Sequence, residues 1–195
     1  MNGVEKMTMK CPECGKKNAL YSDGEWHICS DCFDKINLAE IEKTIEKRMF
    51  VCGVPKRFLS AKLSDFKKQY RTDKGLFILG PVDTGKTHLL SALCRNKILN
   101  RQSCFFVNAP EFTAILKNNL AVSHQLIDKA RFCKNLFIDD LGVEQSSDFV
   151  FEVWYRIINH RYNEMSYTSV SMNTINSLDQ RLFRRLRDST ELIEF

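Results

Sequence analysis

Residues 75–90 read GLFILGPVDTGKTHLL. The run GLFIL is too short and too rich in branched and aromatic side chains to be a helix, and it reads as a strand. After it comes a loop with the spacing G-x-x-x-x-G-K-T, Gly80 to Thr87, and then a helical stretch. In that order, backbone N–H groups turn inward around an anion and the helix presents its positive end to it. Gly80, Pro81, Val82, Asp83, Thr84, Gly85, Lys86, Thr87 and His88 are therefore the expected contacts of nucleotide phosphates. Lys86 is expected to reach the terminal phosphates, and the hydroxyl of Thr87 to ligate magnesium.

Asp83 departs from the pattern, because loops ending in Thr-Gly-Lys-Thr usually carry glycine there. Aspartate tolerates the left-handed backbone that such loops use, so the fold of the loop is expected to survive. Its charge opposes the ligand: two unit charges ~4 Å apart at an effective dielectric of ~20 repel by about 4 kcal/mol, an upper figure. The expectation is nucleotide binding that is weakened and not abolished.

The alternation continues through the rest of the chain after Lys74. SCFFVN, NLFIDD, TSVSMN and ELIEF read as further strands. Between them, Leu89, Leu90, Leu93 and Ile98 share one helical face, as do Val150, Val153, Trp154, Ile157 and Ile158. Short apolar strands alternating with amphipathic helices imply an α/β fold, a parallel sheet flanked by helices on both faces. Ligands of such sheets bind at the carboxyl ends of the strands, where the glycine loop falls. The strand NLFIDD brings two carboxylates to that end: Asp139 is expected to hold magnesium through water, and Asp140 to orient or deprotonate an attacking water. Adjacent carboxylates ending an apolar strand are costly unless a cation or polar network compensates them. Asn173, ending TSVSMN, offers a neutral amide to position the same water.

The first third of the chain has a different character. Cys11-x-x-Cys14 and Cys29-x-x-Cys32 have the spacing of two knuckles around one tetrahedral ion, and Gly15 relaxes the backbone after the first. Zinc fits this short polar segment, which looks like a zinc ribbon, although an iron cluster remains open. His27 reads as a surface residue beside Trp26. Residues 1–40 are the expected zinc-binding module, 41–70 a charged, mostly helical connector broken at Gly53 and Pro55, and 71–195 the nucleotide-binding domain. The other cysteines, Cys52, Cys94, Cys104 and Cys133, are scattered among apolar residues like buried thiols of a reducing compartment. A chain of 195 residues, 44% hydrophobic, suits one well-cored domain with a small appendage. No run approaches the ~18 apolar residues of a membrane span, and MNGVEKMTMKCPECG lacks the apolar core of a secretory signal, so a cytoplasmic protein is expected. The net charge of +5 permits contact with nucleic acid without demanding it.

In order and spacing, GPVDTGKTHLL, LFIDDLG, IINHRY, SVSMN and RLFRRLRD resemble the bacterial helicase-loader ATPases of the DnaC/DnaI type. They are also similar to the related IstB transposition helper ATPases, and both groups belong to the AAA+ class. The resemblance covers roughly residues 53 to 195. It implies a P-loop AAA+ core using ATP and Mg2+, with Zn2+ in the N-terminal module. Such an ATPase, a slow one, would associate with copies of itself or a related AAA+ subunit, bind single-stranded DNA and deliver the replicative DNA helicase onto it. By the same resemblance Asn173 looks like the sensor-one residue, and Arg185 like an arginine finger reaching a neighbour's phosphate. The implied catalytic set is Lys86, Asp139, Asp140, Asn173 and Arg185. Arg181, Arg184 and Arg187 lie on the same short helix and read as a solvated or DNA-facing surface. Asp140 replaces the glutamate of many AAA+ proteins, a variant common in this subfamily. The sequence stops after ELIEF, so the helical lid with its second sensor residue is expected to be absent.

Three functions fit these residues. The first is a helicase loader whose zinc module docks on the helicase or another replication protein, and the second is an IstB-type transposition helper. The third is a zinc-containing DNA-binding adaptor that keeps ATP as a structural switch ligand. The catalytic set speaks against the third, and Asp83 speaks for it.

Overall fold

The computed structural model of the chain describes residues 10, 14–15, 20–22, 25–27, 30–143, 147–175 and 178–195. They fall into two compact units, Met1–Thr44 and Ile45–Phe195. The first contains a small antiparallel hairpin, β1 (Leu20–Ser22) with β2 (Glu25–His27), and the start of helix α1 (Ser30–Cys52). Cys11 and Cys29 lie outside the described residues, and so does the expected four-cysteine site. Among the described residues, no group of three or more His, Cys, Asp or Glu is placed to hold a metal ion.

In the second unit, β3 (Gly75–Leu79), β4 (Cys104–Asn108), β5 (Asn135–Asp139), β6 (Tyr167–Met172) and β7 (Thr190–Glu194) form one parallel sheet in the order β4-β5-β6-β3-β7. All five residues of β3 and of β5 are buried, as expected where a parallel sheet is covered on both faces. Side chains alternate between the two faces. On one face Phe77, Phe105, Leu136, Ile138, Val170 and Met172 join a core with α3 (Ala109–Asn118), α4 (Leu120–Phe132), α5 (Asp148–Asn163) and α6 (Gln180–Ser189). Helix α2 (Lys86–Leu99) packs on β4, β5 and β6, burying Leu89, Leu90, Leu93 and Ile98.

Between α1 and β3 the expected helical pattern gives way to two single 3-10 turns, Lys56–Phe58 and Leu63–Asp65. Gly53 explains the break: at φ 105 it takes a left-handed conformation, and any Cβ there would collide with the carbonyl of Phe106.

One buried cation ties the helical layer to the sheet. Arg161 of α5 is 1% exposed. Its Nε donates to Thr168 Oγ1 at 2.9 Å, its Nη1 to the carbonyls of Ala130, Arg131 and Cys133 at 2.8–3.1 Å, and its Nη2 to Tyr167 O at 2.6 Å. The forked guanidinium thereby caps the end of α4 and holds the start of β6 at once. Among the described residues, no helix is long and apolar enough to cross a membrane.

Candidate functional site

The adjacent strands β3 and β6 send the chain to opposite faces of the sheet, β3 into α2 and β6 towards α6. Such a reversal opens a crevice at their carboxyl ends. The glycine loop lies there. Asp83 and Gly85 take left-handed conformations at φ 64 and φ 96, so aspartate fills a position of the kind glycine fills most easily. Thr84 Oγ1 donates to Pro81 O at 2.9 Å and closes the loop. Lys86, 6% exposed, donates from Nζ to the carbonyls of Gly80 at 2.8 Å and Pro81 at 2.5 Å, which holds the ammonium at the head of the loop. The side chain of Asp83 is exposed.

The acidic strand meets the loop directly. Thr87 Oγ1 donates to Asp139 Oδ1 at 3.1 Å. Ser171 of β6 donates to the same oxygen at 2.6 Å, and its hydroxyl accepts from the backbone N–H of Asp140 at 2.9 Å. Burial drives the Asp139 carboxyl up to about 6; the Ser171 hydrogen bond opposes this, the Asp140 charge adds to it, and Thr87 and Lys86 oppose it. Asp140 is left-handed at φ 57 and accepts from Asn108 Nδ2 at 3.4 Å. The Thr87 hydroxyl and the two carboxylates are hard oxygen donors, and the buried Asp139 charge calls for a cation. These residues fit magnesium.

A cavity of about 410 Å³ brings the pieces together, lined by Asp83, Gly85, Lys86, Thr87 and His88 of the loop and helix, by Asp140 and Asn173, and by Arg57 and Phe58. Arg185 does not line it. Its guanidinium lies on α5, donating to Asn159 Oδ1 at 2.9 Å, Tyr155 OH at 3.3 Å and Arg181 O at 3.0 Å, over the rings of Tyr155 and Tyr162. Sequence reasoning missed Ser171, Asn108, Arg57 and Phe58. Only Ser171 left a signal, a hydroxyl at an alternate position of a strand buried on both faces, where a polar group needs a partner.

The model of the bacterial DnaA ATPase domain matches residues 42–191. The chain belongs to the bacterial DnaA ATPase domain family. Over 118 residues this DnaA-type ATPase domain is 32% identical to the replicative helicase loader DnaI of Bacillus subtilis (strain 168), a match covering 57% of the chain and 38% of DnaI. The chain thus spans well under two thirds of that relative's length. Among solved structures, DnaI superposes with a TM-score of 0.62 at 24% identity, over 73% of this chain and 94% of that one. The replication initiator DnaA bound to AMPPCP and single-stranded DNA gives 0.62 at 17% identity, over 73% and 51%. These likenesses show that the fold is shared.

Proposed function

We propose that this chain is an ATP-hydrolysing replication protein that loads the replicative DNA helicase onto single-stranded DNA. The observation that carries the reading is the Thr87–Asp139 hydrogen bond, which joins the glycine loop to the acidic strand beside Asp140 and Asn173 in one cavity. In this reading the loop N–H groups and Lys86 bind the phosphates. Asp140 takes the proton of the attacking water, with Asn173 orienting that water. Thr87 and Asp139 would hold magnesium, which would supply charge neutralisation on the terminal phosphates. Arg185 acts on the phosphate of a neighbouring copy or related subunit, consistent with its place outside its own chain's cavity. Residues 1–40 bind one zinc through Cys11, Cys14, Cys29 and Cys32, and this module docks on the helicase. The similarity to DnaI supports helicase loading over the transposition and adaptor readings.

The test is loading of a replicative helicase onto circular single-stranded DNA with ATP. Wild type should load it; Lys86→Ala and Asp140→Asn should not. Inactive Arg185→Ala mixed with inactive Asp140→Asn should recover part of the ATPase activity, because one mixed interface contains both intact groups. No recovery despite co-assembly removes the shared site, and no loading by wild type removes the loader reading.

A further inference from the structure

His88 follows Thr87 directly, yet its side chain turns to the segment before the core. Its Nε2 lies 2.7 Å from Asp65 Oδ2. That same oxygen accepts from the backbone N–H of Lys62 at 2.8 Å, so one carboxylate closes its own turn and reaches the helix. These two hydrogen bonds, His88 first, hold the Asp65 carboxyl below the usual carboxylate range. The imidazole also meets two rings edge-on, Phe66 with centroids 5.3 Å apart and Phe58 at 6.2 Å.

Val54 and Ala61 of the segment are buried, but neither of its 3-10 turns contains a buried residue. Besides His88, α2 holds it through Arg95 Nη1, which donates to Leu59 O at 3.2 Å. Yet the segment contributes Arg57 and Phe58 to the cavity. The glycine loop, Lys86 and Thr87 define where phosphates sit, so a wall built from a different segment faces the rest of the ligand.

We propose that His88 is a positioning residue: through Asp65 and the ring of Phe58 it sets the wall of the cavity that meets the nucleoside, and so governs nucleoside recognition without governing phosphate binding. This rests on the reading of the cavity as an ATP site. It assigns the imidazole after the glycine loop to a task distinct from the direct phosphate contact expected from its place in the motif.

The measurement is calorimetric titration of the full chain, with magnesium, using ATP and inorganic tripolyphosphate as separate ligands. Asp65→Ala and His88→Ala should each weaken ATP by about five- to thirty-fold, while tripolyphosphate affinity stays within about two-fold. Because His88 acts partly through its contact with Asp65, the double variant should lose no more ATP affinity than His88→Ala alone. Asp65 is exposed, so its variant is expected to fold, and a thermal melt checks this. Equal loss of both ligands would overturn the proposal by placing His88 on the phosphates, and so would additive losses or unchanged ATP affinity. Wild type binding neither ligand would instead sink the ATP-site reading beneath it.

Discussion

Thr87 and Asp139 stand 52 residues apart in the chain and are joined by a 3.1 Å hydrogen bond between hydroxyl and carboxylate. On the function proposed above, the bond would link two adjoining requirements of phosphoryl transfer, a loop for the phosphates and an acid for the cation between them. It also leaves Asp139 in a place where its charge is expensive until that cation arrives.

That expense is measurable. Asp139 keeps its proton in the folded chain up to about pH 6, against 3.8 ordinarily. The folded state therefore binds a proton that the unfolded state has released, and this residue's contribution to stability falls as pH rises through that window and stays low above it. The displacement corresponds to at most about 3 kcal/mol. Without nucleotide and magnesium, Asp139→Asn should melt about 4–8 °C above wild type at pH 7.5, and the gap should narrow towards pH 4. Scanning calorimetry at the two pH values checks this. A variant no more stable than wild type at pH 7.5 would show that the burial is compensated already.

Asp83 combines a left-handed backbone with an exposed charge. Asp83→Gly and Asp83→Asn both preserve the backbone and remove the charge, so each should tighten ATP binding by about five- to thirty-fold. Asp83→Ala removes the charge but strains the loop by about 1 kcal/mol or more. Titration of a fluorescent ATP analogue at fixed magnesium should rank Gly and Asn above wild type, with Ala below them. Weaker binding by both Gly and Asn would mean that the carboxylate assists the site.

Ser171 bridges Asp139 Oδ1 and the backbone of Asp140. Ser171→Ala leaves a buried carboxylate short of its nearest donor, a cost of about 1–3 kcal/mol. Denaturant unfolding at pH 7.5 should show that loss, and a shift of the Asp139 titration to still higher pH should accompany it. Unchanged stability would show that water replaces the hydroxyl at no cost.

Arg161→Lys should be the most damaging of these substitutions. An ammonium cannot reproduce the fork that serves Ala130, Cys133, Tyr167 and Thr168 together. We expect a loss of about 3 kcal/mol or more, within the range for breaking a buried charged network. Urea unfolding measures it. A loss under about 1 kcal/mol would mean that these carbonyls find other donors.

What the sequence disclosed follows from the range of the interactions concerned. GLFIL, CFFVN and NLFID announce themselves as strands because each is a short run of large apolar side chains, a local property. The glycine loop is equally local. Asp139, Asp140 and Asn173 were legible as partners of the loop because parallel strands deliver their carboxyl ends to one edge. Ser171 and Asn108 were not, since their roles depend on which strand neighbours which, an order decided by the whole sheet. The pairing of Asp65 with His88 lies between two elements whose own patterns carry no trace of each other. Arg161 lies within IINHRY, a motif of the resemblance, but its burial was not legible, because only the convergence of α4, α5 and β6 removes it from water.

The place of β3 within the sheet also sets a timetable. Both of its neighbours come much later in the chain: the hydrogen bond from Leu76 N to Ser169 Oγ spans 93 residues, and the pairing with β7 spans more. At about 5–20 residues per second of synthesis, GLFIL waits of the order of five to twenty seconds for its first partner. Throughout that interval this apolar segment lacks both of its sheet partners, which leaves it open to unwanted pairing. The glycine loop shares the delay, because its support is the same pair of late strands. On the proposed reading, nucleotide cannot help the newborn chain to fold early and can only secure it once β6 has arrived. For a protein whose ligand loop is made early and finished late, the vulnerable period lies in synthesis, before there is any site to protect.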